Sequence, residues 1–356
     1  MKGLLLAGGH GTRLRPLTFT GNKHMLPIAN KPMILYGLEH LINADIKEIG
    51  VILGPVKEDI RGLLGDGSRF GVKITYIDQP EPKGLAYAIA ISQDFLKEEP
   101  FAMYLGDNML KQGAKPLIDA FNKGENDCVI GVAKVKDPSR YGIVVFDESG
   151  RIKRLIEKPK EPISDWALIG VYIFNDKIFE ATKKIKSSWR GELEITDAIQ
   201  VLLNSGAKVD FQFVQGWWKD TGKPEDLLEA NQLVLQELQP LNEGIIEDGA
   251  TVAGGVRTGK DTIIHSRTTI RGPVILGEHC EIGPNVYIGP YTSIGNDVTI
   301  RNSEVENSIV MDGAHIECGK RIIDSLIGMK VKVVSFENNI PRGLKLVLGD
   351  LTYVSI

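Results

Sequence analysis

Over the first ~235 residues, short apolar runs alternate with stretches in which apolar residues recur every three or four positions. The apolar runs at 3–7, 49–53, 74–77, 101–105, 128–132 and 171–174 predict strands. The periodic stretches at 33–44, 85–96, 195–203 and 225–238 predict helices. Strands separated by helices predict an α/β fold, with a Rossmann-like, mixed but mainly parallel sheet covered by helices. The run 142–146, the polar Asp147-Glu148-Ser149-Gly150 and the run 151–156 predict a hairpin turned at a glycine.

The texture changes after Leu238. Ile270, Leu276, Ile282, Ile288, Ile294 and Ile300 recur every six residues. Gly277, Gly283, Gly289 and Gly295 follow four of them, and Cys280, Val286, Thr292 and Val298 keep a second small or apolar position in phase. A six-residue period is the mark of a parallel β-helix, in which three short faces make a coil and the apolar residues stack inside. Accidental spacing in a β-sandwich is the competing reading, and six consecutive in-phase positions disfavour it. The repeat loosens around 251–269 and 302–334. The expected division is therefore an α/β domain at 1–238, a linker at 239–250, and a β-helix with a C-terminal tail at 251–356.

Composition narrows the class without naming a reaction. The 356 residues are 42% hydrophobic and 25% charged, ordinary for a globular protein. A net charge of −4 gives no basic field, so nucleic acid is not an expected partner. No apolar run reaches the ~20 residues that cross a bilayer, so no membrane partner is expected. An opening strand leaves no room for a signal peptide. Cys128, Cys280 and Cys318 are too scattered for a disulfide frame or a zinc site. These features predict a cytoplasmic protein.

Chemistry concentrates in a few places. Leu6-Ala7-Gly8-Gly9-His10-Gly11-Thr12-Arg13 leaves the first strand as a glycine-rich turn ending in a guanidinium, suited to holding phosphate. Asp107 follows the strand at 101–105, at the carboxyl end where α/β sheets bind ligands. An aspartate there can share Mg²⁺ with substrate phosphates, and a turn or helix-cap role fits it equally well on sequence alone. Asp220, in Trp217-Trp218-Lys219-Asp220-Thr221-Gly222, is a second carboxylate that reads either as a ligand or as a cap before the next helix. The Gln79 amide presents both a donor and an acceptor, enough to pair with the edge of a ring, and Gly84 could open the backbone beside it; a Pro-rich loop before a helix start is the competing reading. Tyr141-Gly142 and Glu157-Lys158-Pro159 supply a cation for a sugar phosphate and a carboxylate for sugar hydroxyls, although exposed Glu–Lys pairs are usually solvated surface. His265, His279 and His315 lie in the repeat with no partner motif around them.

The run Gly9-His10-Gly11-Thr12-Arg13-Leu14-Arg15-Pro16-Leu17-Thr18, then Lys23, Leu26-Pro27-Ile28 and Asn30-Lys31-Pro32-Met33, resembles the signature of sugar-1-phosphate nucleotidylyltransferases. Within these, the chain is similar to the long form of the glucose-1-phosphate thymidylyltransferases, whose C-terminal domain is a left-handed β-helix. Gln79-Pro80 with Gly84-Leu85-Ala86, and the block Arg190-Gly191-Glu192-Leu193-Glu194-Ile195-Thr196-Asp197, look like the thymidylyl pattern. Bacterial uridylyl enzymes tend to carry Gly-Leu-Gly-His at the position of Gly84, and guanylyl enzymes Pro-Leu-Gly-Thr. His24 departs from the glutamine usual in that family.

The resemblance implies transfer of a thymidylyl group from dTTP to glucose 1-phosphate by in-line displacement, with Mg²⁺ as cofactor and a homo-oligomeric assembly. It implies roles for Arg13 and Lys23 on the triphosphate and for Lys158 on the sugar phosphate. Leu6, Gly8, Gly9, Gly11, Thr12, Gln79 and Gly84 are then nucleotide-binding. Tyr141, Gly142, Glu157 and Lys158 bind the sugar phosphate, and Asp107 and Asp220 hold the metal. The alternatives are a UTP- or GTP-dependent relative, a bifunctional enzyme with acyl transfer on the β-helix, or a non-catalytic regulatory subunit.

Overall fold

The strand Lys2–Ala7 is buried along its whole length. Leu4 and Leu6 enter one apolar cluster, and Leu5 and Ala7 enter another. A strand apolar on both faces needs cover on both sides, which is the condition that puts helices above and below a parallel sheet. The computed structural model describes residues 1–335 and 350–354. They fall into two units: Met1–His10, Gly21–Met25 and Met33–Asp220 make the first, and Gly11–Thr20, Leu26–Pro32 and the chain from Thr221 make the second.

In the first unit, Lys2–Ala7 lies between two parallel neighbours, Phe101–Leu105 and Glu48–Leu53, and Lys73–Asp78 continues the parallel run. Beyond Phe101–Leu105 the sheet becomes antiparallel through the long strand Trp166–Phe174. That strand also pairs with Cys128–Lys134 and with Gly142–Phe146, which turns back as the expected hairpin with Ile152–Glu157. Val209–Phe213 completes a sheet of nine strands among the described residues. Met33–Ile42 and Lys115–Gly124 bury Leu38, Leu41, Leu117 and Phe121 against one face. Leu85–Ile91, Lys177–Lys184 and Ile195–Asn204 bury Ile89, Ile178 and Ile199 against the other. The helix expected over 85–96 breaks at Ser92, whose hydroxyl donates to the Ala88 carbonyl at 2.7 Å, and a separate turn, Gln93–Leu96, follows.

Register fixes where the loops emerge. Leu6 is level with Leu105, Ala7 with Leu53, and Leu53 with Asp78. The segments beginning at Gly8, Gly106 and Gln79 therefore leave one end of the sheet side by side.

The second unit is a left-handed parallel β-helix with the helix Pro224–Leu235 and two short loop segments. Three sheets of parallel strands stack coil on coil, two of six strands and one of five among the described residues. Ile264 stacks on Ile282 and Ile282 on Ile300, a step of 18 residues or three sixes. The predicted inward positions Ile270, Leu276, Ile282, Ile288, Ile294 and Ile300 are all buried. Asp261, Arg267, His279, Asn285, Tyr291 and Asp297 carry φ values between 56° and 62°. They turn the corners of the coil, a conformation that asparagine and aspartate tolerate better than most residues.

The stretch 239–250, expected to be a linker, already belongs to this stack. Leu241–Asn242 and Ile245–Ile246 pair in parallel with Val256–Thr258 and Ile263–Ile264. They form an end coil with a neighbour on one side only, so their side chains stay exposed and give no apolar period.

Candidate active site

The turn after Lys2–Ala7 is built for close packing. A Cβ on Gly8 would strike the Gln79 side-chain amide, and one on Gly9 would lie 2.9 Å from Lys23 Cε. Gly84 has φ 99°, and its Cα lies against the backbone of Leu193, whose amide donates to the Lys83 carbonyl at 2.7 Å. These glycines bring Gln79, Lys23 and the start of Leu85–Ile91 around a cavity of about 200 Å³. Of the residues assigned from sequence, Leu6, Gly8, Gly9, Lys23, Gln79, Gly84 and Asp107 line it. His24 and Glu192 line it too, and neither was assigned a site role from sequence.

Lys23 Nζ forms an ion pair with Asp107 Oδ2, and both side chains are largely buried. Burial pushes the Asp107 carboxyl up. Lys23, nearby His24 and the Asn108 amide pull harder the other way, so it stays well below the ordinary carboxylate range. Asp107 is therefore an ionised acceptor aimed at the cavity. His24 is buried and pushed down to about 3, first by desolvation and then by Lys23. It is a neutral imidazole at neutral pH, with Nδ1 2.7 Å from Asn22 Oδ1. Its place in the wall puts it beside the ion pair rather than in solvent.

Asp220 comes into range through a strand pair that sequence did not reveal. Trp218–Asp220 runs antiparallel to Asn108–Leu110, with Asp220 opposite Asn108, the residue after Asp107. Asn108 is a hub. Its Oδ1 accepts from Trp218 Nε1 at 2.7 Å and from the Gly170 amide at 3.0 Å, and its Nδ2 donates to Asp107 Oδ1 at 3.1 Å. Burial, and then the negative fields of Glu157, Asp220 and Asp107 among others, raise the Tyr172 hydroxyl, so one residue senses all three carboxylates.

Tyr141, Gly142, Glu157 and Lys158 also come together. Glu157 lies opposite Gly142 across the hairpin, and the Lys158 amide donates to the Tyr141 carbonyl at 3.0 Å. The Tyr141 ring meets Trp218 edge-on at 5.4 Å. Glu157 accepts from Thr196 Oγ1 at 3.1 Å and Arg190 Nη1 at 3.4 Å, and Lys158 Nζ is 3.6 Å away. Burial and Glu194 raise the Glu157 carboxyl against those cations. Arg190 also pairs with Glu192 at 2.7 Å and Glu194 at 3.3 Å. Sequence marked 190–197 as a family block without assigning these roles, and the one hint was a lone arginine followed by two glutamates, Glu192 and Glu194.

Gly11, Thr12 and Arg13 belong to the second unit. Gly11 has φ 63° and precedes the short turn Thr12–Leu14. A Cβ on Gly222 would come within 2.9 Å of Arg13 Nη2, so the guanidinium rests on the backbone two residues after Asp220. In the β-helix, His265 lies 3.0 Å from Glu247, His279 3.7 Å from Asp261 and His315 3.8 Å from Glu317. Each is a local pair at a coil corner or outer strand. Cys128, Cys280 and Cys318 are free and buried. No helix among the described residues is long and apolar enough to cross a membrane.

Comparison with known proteins gives a consistent result. The nucleotidyl transferase family matches residues 2–237, and the GMPPB C-terminal domain matches residues 270–339. The low-salt glycan biosynthesis nucleotidyltransferase Agl11 of Haloferax volcanii is 47% identical, covering 98% of each chain. A glucose-1-phosphate thymidylyltransferase of Streptomyces griseus is 43% identical, again over 98% of each. Among solved structures, UDP-glucose pyrophosphorylase complexed with UDP-glucose superposes with TM-score 0.60 at 27% identity, over 66% of this chain and 98% of that one.

Proposed function

The chain belongs to the nucleotidyl transferase family, and from that premise we propose that it joins dTTP and glucose 1-phosphate into dTDP-glucose with release of pyrophosphate. The observation that carries this reading is the convergence of the glycine turn, Lys23, Gln79 and an ionised Asp107 on one cavity. Similarity over the whole chain to a thymidylyltransferase supports it.

A phosphate oxygen of glucose 1-phosphate attacks the α-phosphorus of dTTP. The new P–O bond forms as the bond to the β-phosphate oxygen breaks, and pyrophosphate carries the electron pair away. The attacking oxygen is already anionic, so no general base is needed. Catalysis is then positioning and charge stabilisation. The amides of Gly8 to Thr12 and the Arg13 guanidinium hold the triphosphate. Lys23 neutralises charge near the α-phosphate, Gln79 pairs with the base, and Leu6 and Gly84 shape its slot. Lys158 holds the sugar phosphate, and Glu157, Tyr141 and Gly142 form the sugar-binding wall.

The donor set suits Mg²⁺. Among the described residues no group of three His, Cys, Asp or Glu side chains is placed to hold a metal ion, while Asp107 immediately precedes the strand Asn108–Leu110 and Asp220 ends the strand paired with it, two carboxylates in all. Mg²⁺ favours such a sparse oxygen set completed by water and substrate phosphates. When bound, it would neutralise phosphate charge and fix the angle of attack. The reading includes a cytoplasmic homo-oligomer.

Lys158→Ala tests the assignment of the two ends. A charge-assisted hydrogen bond contributes roughly 1.5–3 kcal/mol, so KM for glucose 1-phosphate should rise about tenfold or more while KM for dTTP stays within about twofold. Steady-state kinetics with each substrate varied in turn reads this. An effect confined to dTTP would put Lys158 at the nucleotide end.

A further inference from the structure

His24 lines the cavity, and no step above uses it. Its ring is oriented by Asn22. The Asn22 amide nitrogen donates to the Val56 carbonyl at 2.7 Å and to the Ala7 carbonyl at 3.4 Å, which leaves Oδ1 as the atom facing His24. That oxygen accepts the His24 backbone amide at 2.9 Å and lies 2.7 Å from Nδ1. An amide oxygen has no proton to give, so Nδ1 carries the hydrogen and Nε2 of the neutral ring keeps its lone pair. Among the described residues Nε2 has no hydrogen-bond partner, yet it is not sealed off. The residue is 2% exposed, and the cavity is where that remaining surface opens. The ring packs over Gly106, where a Cβ would lie 2.9 Å from Cδ2 and 3.4 Å from Nε2. A buried acceptor without a partner in the protein calls for a donor on the ligand.

The sheet orders what a nucleotide presents to it. Gln79 continues Lys73–Asp78, Gly8 continues Lys2–Ala7 and Gly106 continues Phe101–Leu105, with Glu48–Leu53 between the first two. Gln79 and Gly106 therefore stand three strand spacings apart, roughly 14 Å. With the base at Gln79 and the α-phosphate near Lys23 and Asp107, the pentose lies between them, alongside His24. Phosphate oxygens are acceptors, and the Nε2 lone pair would repel them. The pentose brings hydroxyl donors, and a 2′-deoxynucleotide keeps the one at the 3′ position. We propose that His24 is a specificity-determining residue whose Nε2 accepts the 3′-hydroxyl of the nucleotide, with Asn22 as the positioning residue that fixes the tautomer. This rests on the reading of the cavity as the nucleotide site. Asn22, Lys23, His24, Gln79, Gly106 and Asp107 all belong to the first unit.

The probe is 2′,3′-dideoxythymidine triphosphate, which differs from dTTP only in lacking that hydroxyl. Titration calorimetry of each nucleotide with the full chain and Mg²⁺ needs neither turnover nor a variant. The expected result is that dTTP binds about tenfold or more tightly than the dideoxy analogue, because the analogue leaves Nε2 unpaired. In His24→Leu the two should bind within about twofold of each other, and His24→Gln, whose amide oxygen accepts, should restore the preference. Equal binding of the two by the unsubstituted chain overturns the proposal. So does a preference that survives in His24→Leu, where a merely structural role would weaken both nucleotides alike. A chain that binds dTTP in the expected way but releases no pyrophosphate would remove the reaction and leave the proposal standing. Binding of neither nucleotide would remove both.

Discussion

Asp107→Asn is expected to cut turnover by about a thousandfold while the protein keeps its fold. That loss corresponds to about 4 kcal/mol of transition-state stabilisation, the size expected if Asp107 carries the charge that would hold Mg²⁺, as proposed above. The fold survives because the contacts that order this corner are made by Asn108, to Trp218 and Gly170. Lys23 loses its partner, so its charge faces the cavity uncompensated. The loss should therefore appear in kcat rather than as a failure to bind the polyanionic nucleotide. Asp220→Asn, on the strand beside Asn108, is expected to behave alike. Near-normal Mg²⁺-dependent rates in both variants would remove the metal assignment.

Ile288→Ala is expected to destabilise the β-helix by about 3 kcal/mol, lowering its melting temperature by on the order of 10 °C. Ile288 is fully buried, and its strand Val286–Ile288 has parallel neighbours on both sides, Thr268–Arg271 and Glu304–Glu306. A stacked coil cannot collapse into the gap without breaking the ladders above and below, so the cavity persists. Tyr287, next along the same strand, is only partly buried, and Tyr287→Ala should cost much less. Calorimetry on the two variants reads the difference. Equal shifts would mean that Ile288 is not a core position.

The β-helix was legible over 270–300, where each coil keeps 18 residues and the inward positions on that phase are apolar; at 251–269 the step is also 18, but the inward residue at 258 is a threonine, which breaks the apolar run. From Ile300 to Ile316 the step shrinks to 16, and from Val310 to Ile327 it is 17. The coils continue and the side chains still point inward, but the linear period is lost, so 302–334 looked degenerate. The parallel half of the sheet was legible from its apolar runs. The pair of Trp218–Asp220 with Asn108–Leu110 was not, since each strand has three residues and the two lie more than a hundred positions apart. That pair is what sets Asp220 opposite Asn108, the residue after Asp107. Arg190, Glu192 and Glu194 were likewise hidden, because a charged cluster in a loop reads as solvated surface until its partners are known.

Nucleotide choice follows from the lining of the cavity. The cavity walls offer the Gln79 amide and apolar contacts from Leu6, Leu85 and Leu105, which suits a pyrimidine bearing a methyl group. A methyl group in an apolar slot contributes about 1–3 kcal/mol, so uracil should be disfavoured by roughly tenfold or more, and purines further by size. Pyrophosphate release with glucose 1-phosphate and Mg²⁺, measured across dTTP, UTP, CTP, GTP and ATP, tests this directly. The highest kcat/KM is expected with dTTP, with formation of dTDP-glucose. Preference for UTP, CTP, GTP or ATP, or no release with any nucleotide, would contradict it.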